Sequence, residues 1–528
     1  MPGEPGRSER PAARGAVMVG LGIFVSRIAG LVRQRVFAHY FGSSDAADAF
    51  NAAFRIPNFL QNLFGEGVLS ASFIPVYAGL RARGEDEPAR RTAHTVGTIL
   101  ALATSLLVLA GVLATPLLIA AIAPGFAGAK RDLTIRLARI LFPGAGLLVL
   151  SAWCLGILNS HRRFLLSYMA PVAWNAAMIA TLAGWGGRLG EDPLALALAF
   201  GSVVGSALQF VVQLPSVMVL LRGLRPAIDL GSQHVRSVIR NFAPVFVSRG
   251  VVQISAYVDA LLASLLPTGA VAGLGYAQVL YTLPVSLFGM SISAAELPEM
   301  SGATGSGDEI ARELRRRLDV GLARIAFFVV PSAVAFLTLG DVVSGVLFQS
   351  GHFTRGDAIY VWGILAGSAV GLLASTMGRL YSSAYYALKD TRTPLRYAVL
   401  RVTLTVGLGY LFALPLPRLF GIPARWGVAG LTASAGIAGW IELLLLRRAL
   451  NARIGPTGLR LARAATLYGA ALVAAAGAWA VKLALATDRP LILAVPVLGT
   501  YGAAYLAATL LLGVDEARSL GARARWRR

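Results

Sequence analysis

Apolar residues run along this chain in long blocks, separated by short clusters of arginine, glycine and proline. A helix crossing about 30 Å of hydrocarbon needs about 20 mostly apolar residues. Windows of that size predict fourteen spans, at 16–40, 45–80, 94–123, 133–158, 165–187, 193–222, 236–267, 271–300, 318–347, 357–388, 394–415, 424–448, 460–486 and 490–513. The second is the least regular. The pattern predicts an all-α, polytopic membrane protein with about 14 transmembrane helices. No connecting segment is longer than about 20 residues, so a soluble catalytic domain finds no room. The start is not expected to be a cleaved signal peptide. Arg7, Arg10 and Arg14 precede a span that itself carries Arg27, Arg33 and Arg35, and no small-residue cleavage site follows.

The pattern also repeats. Phe24-Val25-Ser26-Arg27 recurs as Phe246-Val247-Ser248-Arg249, an offset of 222 residues. Leu63-Phe64-Gly65 with Pro75 recurs as Leu287-Phe288-Gly289 with Pro298, at nearly the same offset. More faintly, Asn159 to Arg163 with Pro171 resembles Lys389 to Arg392 with Pro394. Six helices lie in one offset, an even number, so the halves share one membrane orientation, as in transporters built from parallel repeats. The expected organisation is a tail of residues 1–15, an N-terminal lobe over 16–222 and a C-terminal lobe over 236–448. A helix pair at 460–513 and a basic tail at 514–528 complete it.

Composition sharpens this picture. Of 528 residues, 56% are apolar and only 14% charged, against about 25% charge in a soluble domain. The single cysteine, Cys154, rules out an internal disulfide. A formal charge of +22 would suggest nucleic acid in a soluble protein. With both termini placed in the cytoplasm, however, the inner segments hold 30 Lys and Arg and the outer ones 8. That asymmetry is the positive-inside signal of membrane topology, and no nucleic-acid partner is needed to explain it.

Charges within the spans are the candidate chemistry. An ionised side chain at the bilayer centre costs at least about 2.5–3.5 kcal/mol, so it faces a cavity or a partner. The first repeat holds Arg27, Arg33, Arg35, Asp48, Arg55 and Glu66; the second holds Arg249 and Asp259, with Glu296 and Glu299 flanking Pro298. One reading makes the arginines a cluster for an anionic ligand, since guanidinium groups take phosphate oxygens in bidentate fashion. The other pairs Arg27 and Arg33 with Asp48 and Glu66 to lock two helices together. Arg249, at the position equivalent to Arg27, would add a guanidinium from the second half. The chain has no phosphate-binding loop, no nucleophile elbow and no histidines at metal-ligand spacing.

Several of these residues carry a resemblance. Ser26-Arg27-Ile28-Ala29-Gly30-Leu31-Val32-Arg33, then Phe41-Gly42, Asp48-Ala49-Phe50, Phe54-Arg55-Ile56-Pro57-Asn58, Phe64-Gly65-Glu66-Gly67 and Phe73-Ile74-Pro75 resemble the N-terminal signature of the MurJ (MviN) lipid II flippases. That family belongs to the multidrug/oligosaccharidyl-lipid/polysaccharide exporter superfamily. The likeness continues more sparsely through Ala123-Pro124-Gly125-Phe126, Ala170-Pro171 with Asn175, Phe348 to Phe353 and Asp390 to Pro394.

The resemblance implies two lobes around a cationic cavity and a lipid-tail groove involving helices 13 and 14. It also implies transport of undecaprenyl-pyrophosphate-linked disaccharide-pentapeptide from the inner to the outer leaflet of the bacterial cytoplasmic membrane. A monomer with both termini cytoplasmic and no cofactor is expected. Arg27, Arg33, Asp48 and Glu66 match family positions, and Arg55 lies in the same signature. The chain departs from well-known members at Gln34, at Gln61-Asn62 and at Tyr276-Ala277-Gln278-Val279, where a cavity arginine is absent. Arg249 would replace it. Some members hold a monovalent cation, for which Asp259 and Asp390 with Thr403 or Thr405 would be the groups here. Alternatives are a sibling exporter of another polyprenyl-linked oligosaccharide, a transport-dead scaffold and an integral-membrane enzyme; the last lacks an acidic or metal cluster.

Overall fold

The computed structural model of the chain describes residues 9–302, 306–485, 487 and 489–519; the side chains of residues 9–21, 23, 66–67 and 243–256 lie outside the described set. The chain forms two compact units, residues 1–265 and 266–528. The first holds α1 (Glu9–Phe41), α2 (Asp45–Phe64), α3 (Glu66–Ala82), α4 (Asp86–Ile122), α5 (Gly128–Ser160), α6 (Phe164–Trp185), α7 (Glu191–Leu221) and α8 (Gln233–Ser264). The second opens with α9 (Ala270–Pro284), a π-helical segment (Val285–Met290), α10 (Ser291–Ser301), α11 (Gly307–Thr338), α12 (Gly340–Phe348) and α13 (Arg355–Ala387). It continues with α14 (Arg392–Ala413), α15 (Pro415–Leu419), α16 (Gly427–Ile454), α17 (Leu461–Leu485) and α18 (Pro490–Leu511).

Twelve segments among the described residues are long and apolar enough to cross a membrane. The expected spans at 16–40 and 236–267 correspond to α1 and α8, of 33 and 32 residues, each about 48–50 Å long. The structure is therefore compatible with fourteen crossings. Packing divides the chain after α8, which lies against α2, α3 and α4 of the first unit; the sequence repeat places the same helix at the head of the second half.

The least regular span proves to be two helices. It breaks at Gly65, where an added Cβ would stand 2.1 Å from the Gln61 carbonyl. Its repeat counterpart, Leu287-Phe288-Gly289, falls in the π-helical segment that follows Pro284. Proline lacks the N–H of the α-helical ladder and its ring crowds the preceding turn, and one wide turn absorbs the mismatch. Both copies of the motif thus interrupt a helix.

Close helix contacts rest on small residues, as expected where apolar side chains gain little by leaving lipid. In the second unit Gly363, Gly367 and Gly371 line one face of α13. An added Cβ at Gly371 would meet the Gly436 Cα of α16 at 2.3 Å. Pro331 leaves the Phe327 carbonyl without its helical donor; the Tyr505 hydroxyl of α18 donates to that carbonyl at 2.7 Å and pins the last helix pair to α11. On α4, by contrast, Leu102, Leu106, Leu109, Leu113 and Leu117 form an exposed stripe along one face. Such a stripe suits hydrocarbon and nothing else.

One loop carries a pH-sensitive contact. His161, between α5 and α6, lies 3.0 Å through Nε2 from the Tyr77 hydroxyl. Burial, with the Arg81 and Arg163 charges nearby, pushes its pKa down to about 4, below the usual 6.5 or so. The unfolded chain therefore binds the extra proton first. The stability His161 supports is complete above about pH 6.5 and is lost as pH falls toward 4. Thermal unfolding of the solubilised protein should show the midpoint falling across that window, and His161→Gln should flatten the fall.

Candidate functional site

The N-terminal charges fall into three separate arrangements in the first unit. Arg33 is the first. α1 lies along α6, with Gly22 against Tyr168 and Gly30 beside Asn175, and the next turn brings Arg33 to Trp174 and Met178. Its guanidinium carbon stands 4.8 Å from the Trp174 ring centroid, a cation–π distance. Nη1 reaches the Met178 sulfur at 3.8 Å, while Nε is buried without a hydrogen-bond partner. No acid pairs with Arg33 among the described residues. Trp174 is itself held by a hydrogen bond to Ser202, at 3.2 Å, and by stacking on Phe54, at 5.8 Å between centroids. The cation sits on a fixed aromatic platform.

Arg27, six residues earlier, stands about 120° away around the helix and is exposed. The structure therefore gives Arg27 and Arg33 different surroundings.

Asp48 belongs to the second arrangement. Its side chain is 1% exposed and lies 2.7 Å from Lys130 Nζ at the start of α5. Lys130 also bridges to Asp45 at 2.8 Å and sits 4.4 Å over the Phe126 ring. Asp45 and Asp48 occupy the first turn of α2, capped by Ser44, where carboxylates complement the helix dipole. Asp48 thus has a lysine partner on another helix rather than Arg27 or Arg33.

Arg55 belongs to the third. The Tyr257 hydroxyl of α8 donates to the Arg55 carbonyl at 2.7 Å, Tyr257 meets Phe59 edge-on at 5.3 Å, and Arg55 and Asp259 attract one another electrostatically. These contacts fasten α2 to α8. The end of α8 is fastened as well: Ser264 accepts a hydrogen bond from the Gly125 amide at 3.4 Å, and a Cβ on Gly125 would lie 2.1 Å from the Ser264 carbonyl. Glu66 and Arg249, both expected in the site, lie outside the described side chains.

Of the groups considered for a cation, Asp390 is a helix cap. It accepts from the Thr393 and Arg392 amides at 3.0 Å, from the Thr393 hydroxyl at 2.7 Å and from Arg453 at 2.7 Å. These hydrogen bonds, that from the Thr393 amide foremost, hold its pKa down to about 2. Thr403 is exposed and donates to the Val399 carbonyl at 3.1 Å, about 18 Å along α14 from that cap. Asp390 and Thr403 are not brought together.

Sequence reasoning missed Lys130, Trp174, Met178 and Tyr257. Trp174 adjoins Asn175, which carries part of the resemblance, but a tryptophan in an apolar run gives no hint of the cation it holds. Lys130 reads as one more outer-loop charge.

A sequence profile described as "Lipid II flippase MurJ" matches residues 37–501. A protein of Burkholderia cenocepacia named "Lipid II flippase MurJ" is 32% identical over 459 residues, covering 85% of this chain and 86% of that protein. A "Probable lipid II flippase MurJ" of Rhizobium tropici is 33% identical over 445 residues, covering 81% and 79%. Among solved structures, a lipid II flippase MurJ in an inward closed conformation shares the fold with a TM-score of 0.77 at 23% identity, covering 94% of this chain and 99% of that one. An inward-facing multidrug resistance transporter of the MATE family gives a TM-score of 0.66 at 17% identity, covering 83% and 98%.

Proposed function

The chain belongs to the lipid II flippase MurJ family, and on that footing we propose that it carries lipid II from the cytoplasmic to the outer leaflet by alternating access, with Arg33 as a contact for the diphosphate. It is a multi-pass protein of the bacterial inner membrane and a transporter rather than a catalytic enzyme. Its cargo in this reading is the undecaprenyl-diphosphate-linked disaccharide-pentapeptide, handled by a monomer whose two termini lie in the cytoplasm, as the distribution of 30 against 8 basic residues favours.

The observation that carries the reading is the state of Arg33: a half-buried cation within a membrane helix, stacked on Trp174, with no acid beside it among the described residues. A guanidinium kept this way has no carboxylate among the described residues to compete with phosphate oxygens. A diphosphate entering the membrane sheds its water, and buried charge without a partner costs several kcal/mol. Fixed cations offset that cost. The prenyl tail stays in lipid and carries no such penalty. The chain needs no chemical step for this task, only a path for the head group.

The test is replacement. A bacterium depleted of its own lipid II flippase should resume growth and wall synthesis when it expresses this chain. Normal membrane expression without rescue would reject the reading in favour of a sibling exporter of another polyprenyl-linked oligosaccharide.

A further inference from the structure

In the second unit, α13 is the most heavily packed helix, covered by α9, α11, α12 and α16. Over residues 371–386 only Ser375, Arg379, Ser382 and Tyr386 are not buried. Their spacing of four, three and four residues places them on one face. Lipid-facing stripes in this protein look different, as the leucines of α4 do. A stripe of hydroxyls around an arginine suits water or a polar ligand.

The surroundings of Arg379 explain what it lacks. Arg401 on α14 is paired with Glu442 at 3.0 Å, and Arg324 on α11 lies 3.5 Å from Glu296. Arg379 has no acid, carbonyl or aromatic ring holding its guanidinium among the described residues. Beside it, the Tyr281 hydroxyl of α9 shares a hydrogen bond with Ser375 at 2.7 Å, and both Arg379 and Arg401 lie within electrostatic range of that phenol. Leu380 packs on Gly321, three residues from Arg324, so the Arg324 and Arg379 side chains leave their helices within about 6 Å in depth. Eight residues separate Arg379 from the end of α13, about 12 Å. Arg379 is thus an exposed cation within the length of a span, with no partner among the described residues, and such residues mark ligand paths in membranes.

We propose that Arg379, with the Ser375, Ser382 and Tyr281 hydroxyls around it, is a diphosphate contact contributed by the second unit. The proposal deepens the flippase reading and rests on it for the identity of the cargo. Its chemistry is narrower: a bidentate guanidinium on phosphate oxygens, with hydroxyl donors at its rim.

The experiment uses the full chain in lipid nanodiscs and three probes: lipid II, undecaprenyl diphosphate and undecaprenol. Arg379→Gln should weaken binding of both diphosphates about tenfold or more and leave undecaprenol unchanged. Arg379→Lys should recover only part of the loss, because an ammonium lacks the planar fork; a cation that merely reaches interfacial water would be replaced by lysine at no cost. Wild-type affinity for both diphosphates in a folded Arg379→Gln protein would overturn the proposal. So would equal losses for all three probes, which would mark a structural role. If Arg379→Gln does not fold, the lysine variant decides, since full affinity there is incompatible with bidentate contact. Wild-type protein that binds undecaprenyl diphosphate but not lipid II would reject the cargo and leave the Arg379 comparison valid.

Discussion

Arg33→Ala is expected to cut lipid II transport about a hundred- to several-thousandfold while leaving the protein folded. The magnitude follows from what the side chain does in each state. Without substrate, the Arg33 guanidinium is held among the described residues by the Trp174 ring and the Met178 sulfur, and a cation–π contact contributes about 0.5–2 kcal/mol. Its removal also relieves the burial of an Nε without a hydrogen bond, so the net effect on stability is small. With a diphosphate bound, the loss is that of a charge-assisted pair in a poorly hydrated place, about 3–5 kcal/mol, at roughly 1.4 kcal/mol per factor of ten. Arg33→Lys should retain some activity, since the charge survives but the planar fork and its stacking do not. Trp174→Leu should lose several-fold by letting the guanidinium swing. Transport assayed in proteoliposomes beside thermal unfolding separates these effects. An Arg33→Ala protein that unfolds early, with transport lost in proportion, would make Arg33 a packing residue.

The outline of the fold was legible because long apolar runs leave few alternatives. The expected span at 165–187 is α6 at Phe164–Trp185, and that at 357–388 is α13 at Arg355–Ala387. What the sequence hides is pairing across distance. Periodicity gives each charge a face of its own helix but not the neighbour on that face. Asp48 therefore looks as eligible for Arg27 or Arg33 as for Lys130, 82 residues away. The break at Gly65 is hidden for a related reason. Its cause is a carbonyl 2.1 Å from where a side chain would begin, and glycines in membrane helices serve close packing as often. Arg379 escaped notice because a lone arginine late in a span reads as one that reaches for the interface. Only the burial of the other faces of α13 over residues 371–386 singles it out.

The Asp48–Lys130 contact yields the second large effect, and its two ends should not be equivalent. Lys130→Met takes the lysine away from a carboxylate that is 1% exposed, and removing one partner of a buried ion pair costs up to about 3–5 kcal/mol. Asp48→Asn should cost less, about 1–3 kcal/mol, because Lys130 keeps Asp45 at 2.8 Å and the new amide can still hydrogen-bond. The double variant should then be more stable than Lys130→Met alone, since replacing the acid removes a buried charge that has lost its lysine. Such a sign reversal is open to direct measurement by a double-mutant cycle on the solubilised protein. It also separates two roles for Asp48. If the carboxylate serves the helix pair, transport by the double variant should track its regained stability. If Asp48 instead meets the head group, Asp48→Asn should abolish transport at unchanged stability, and the lysine variant should show no stability loss for the second substitution to repair.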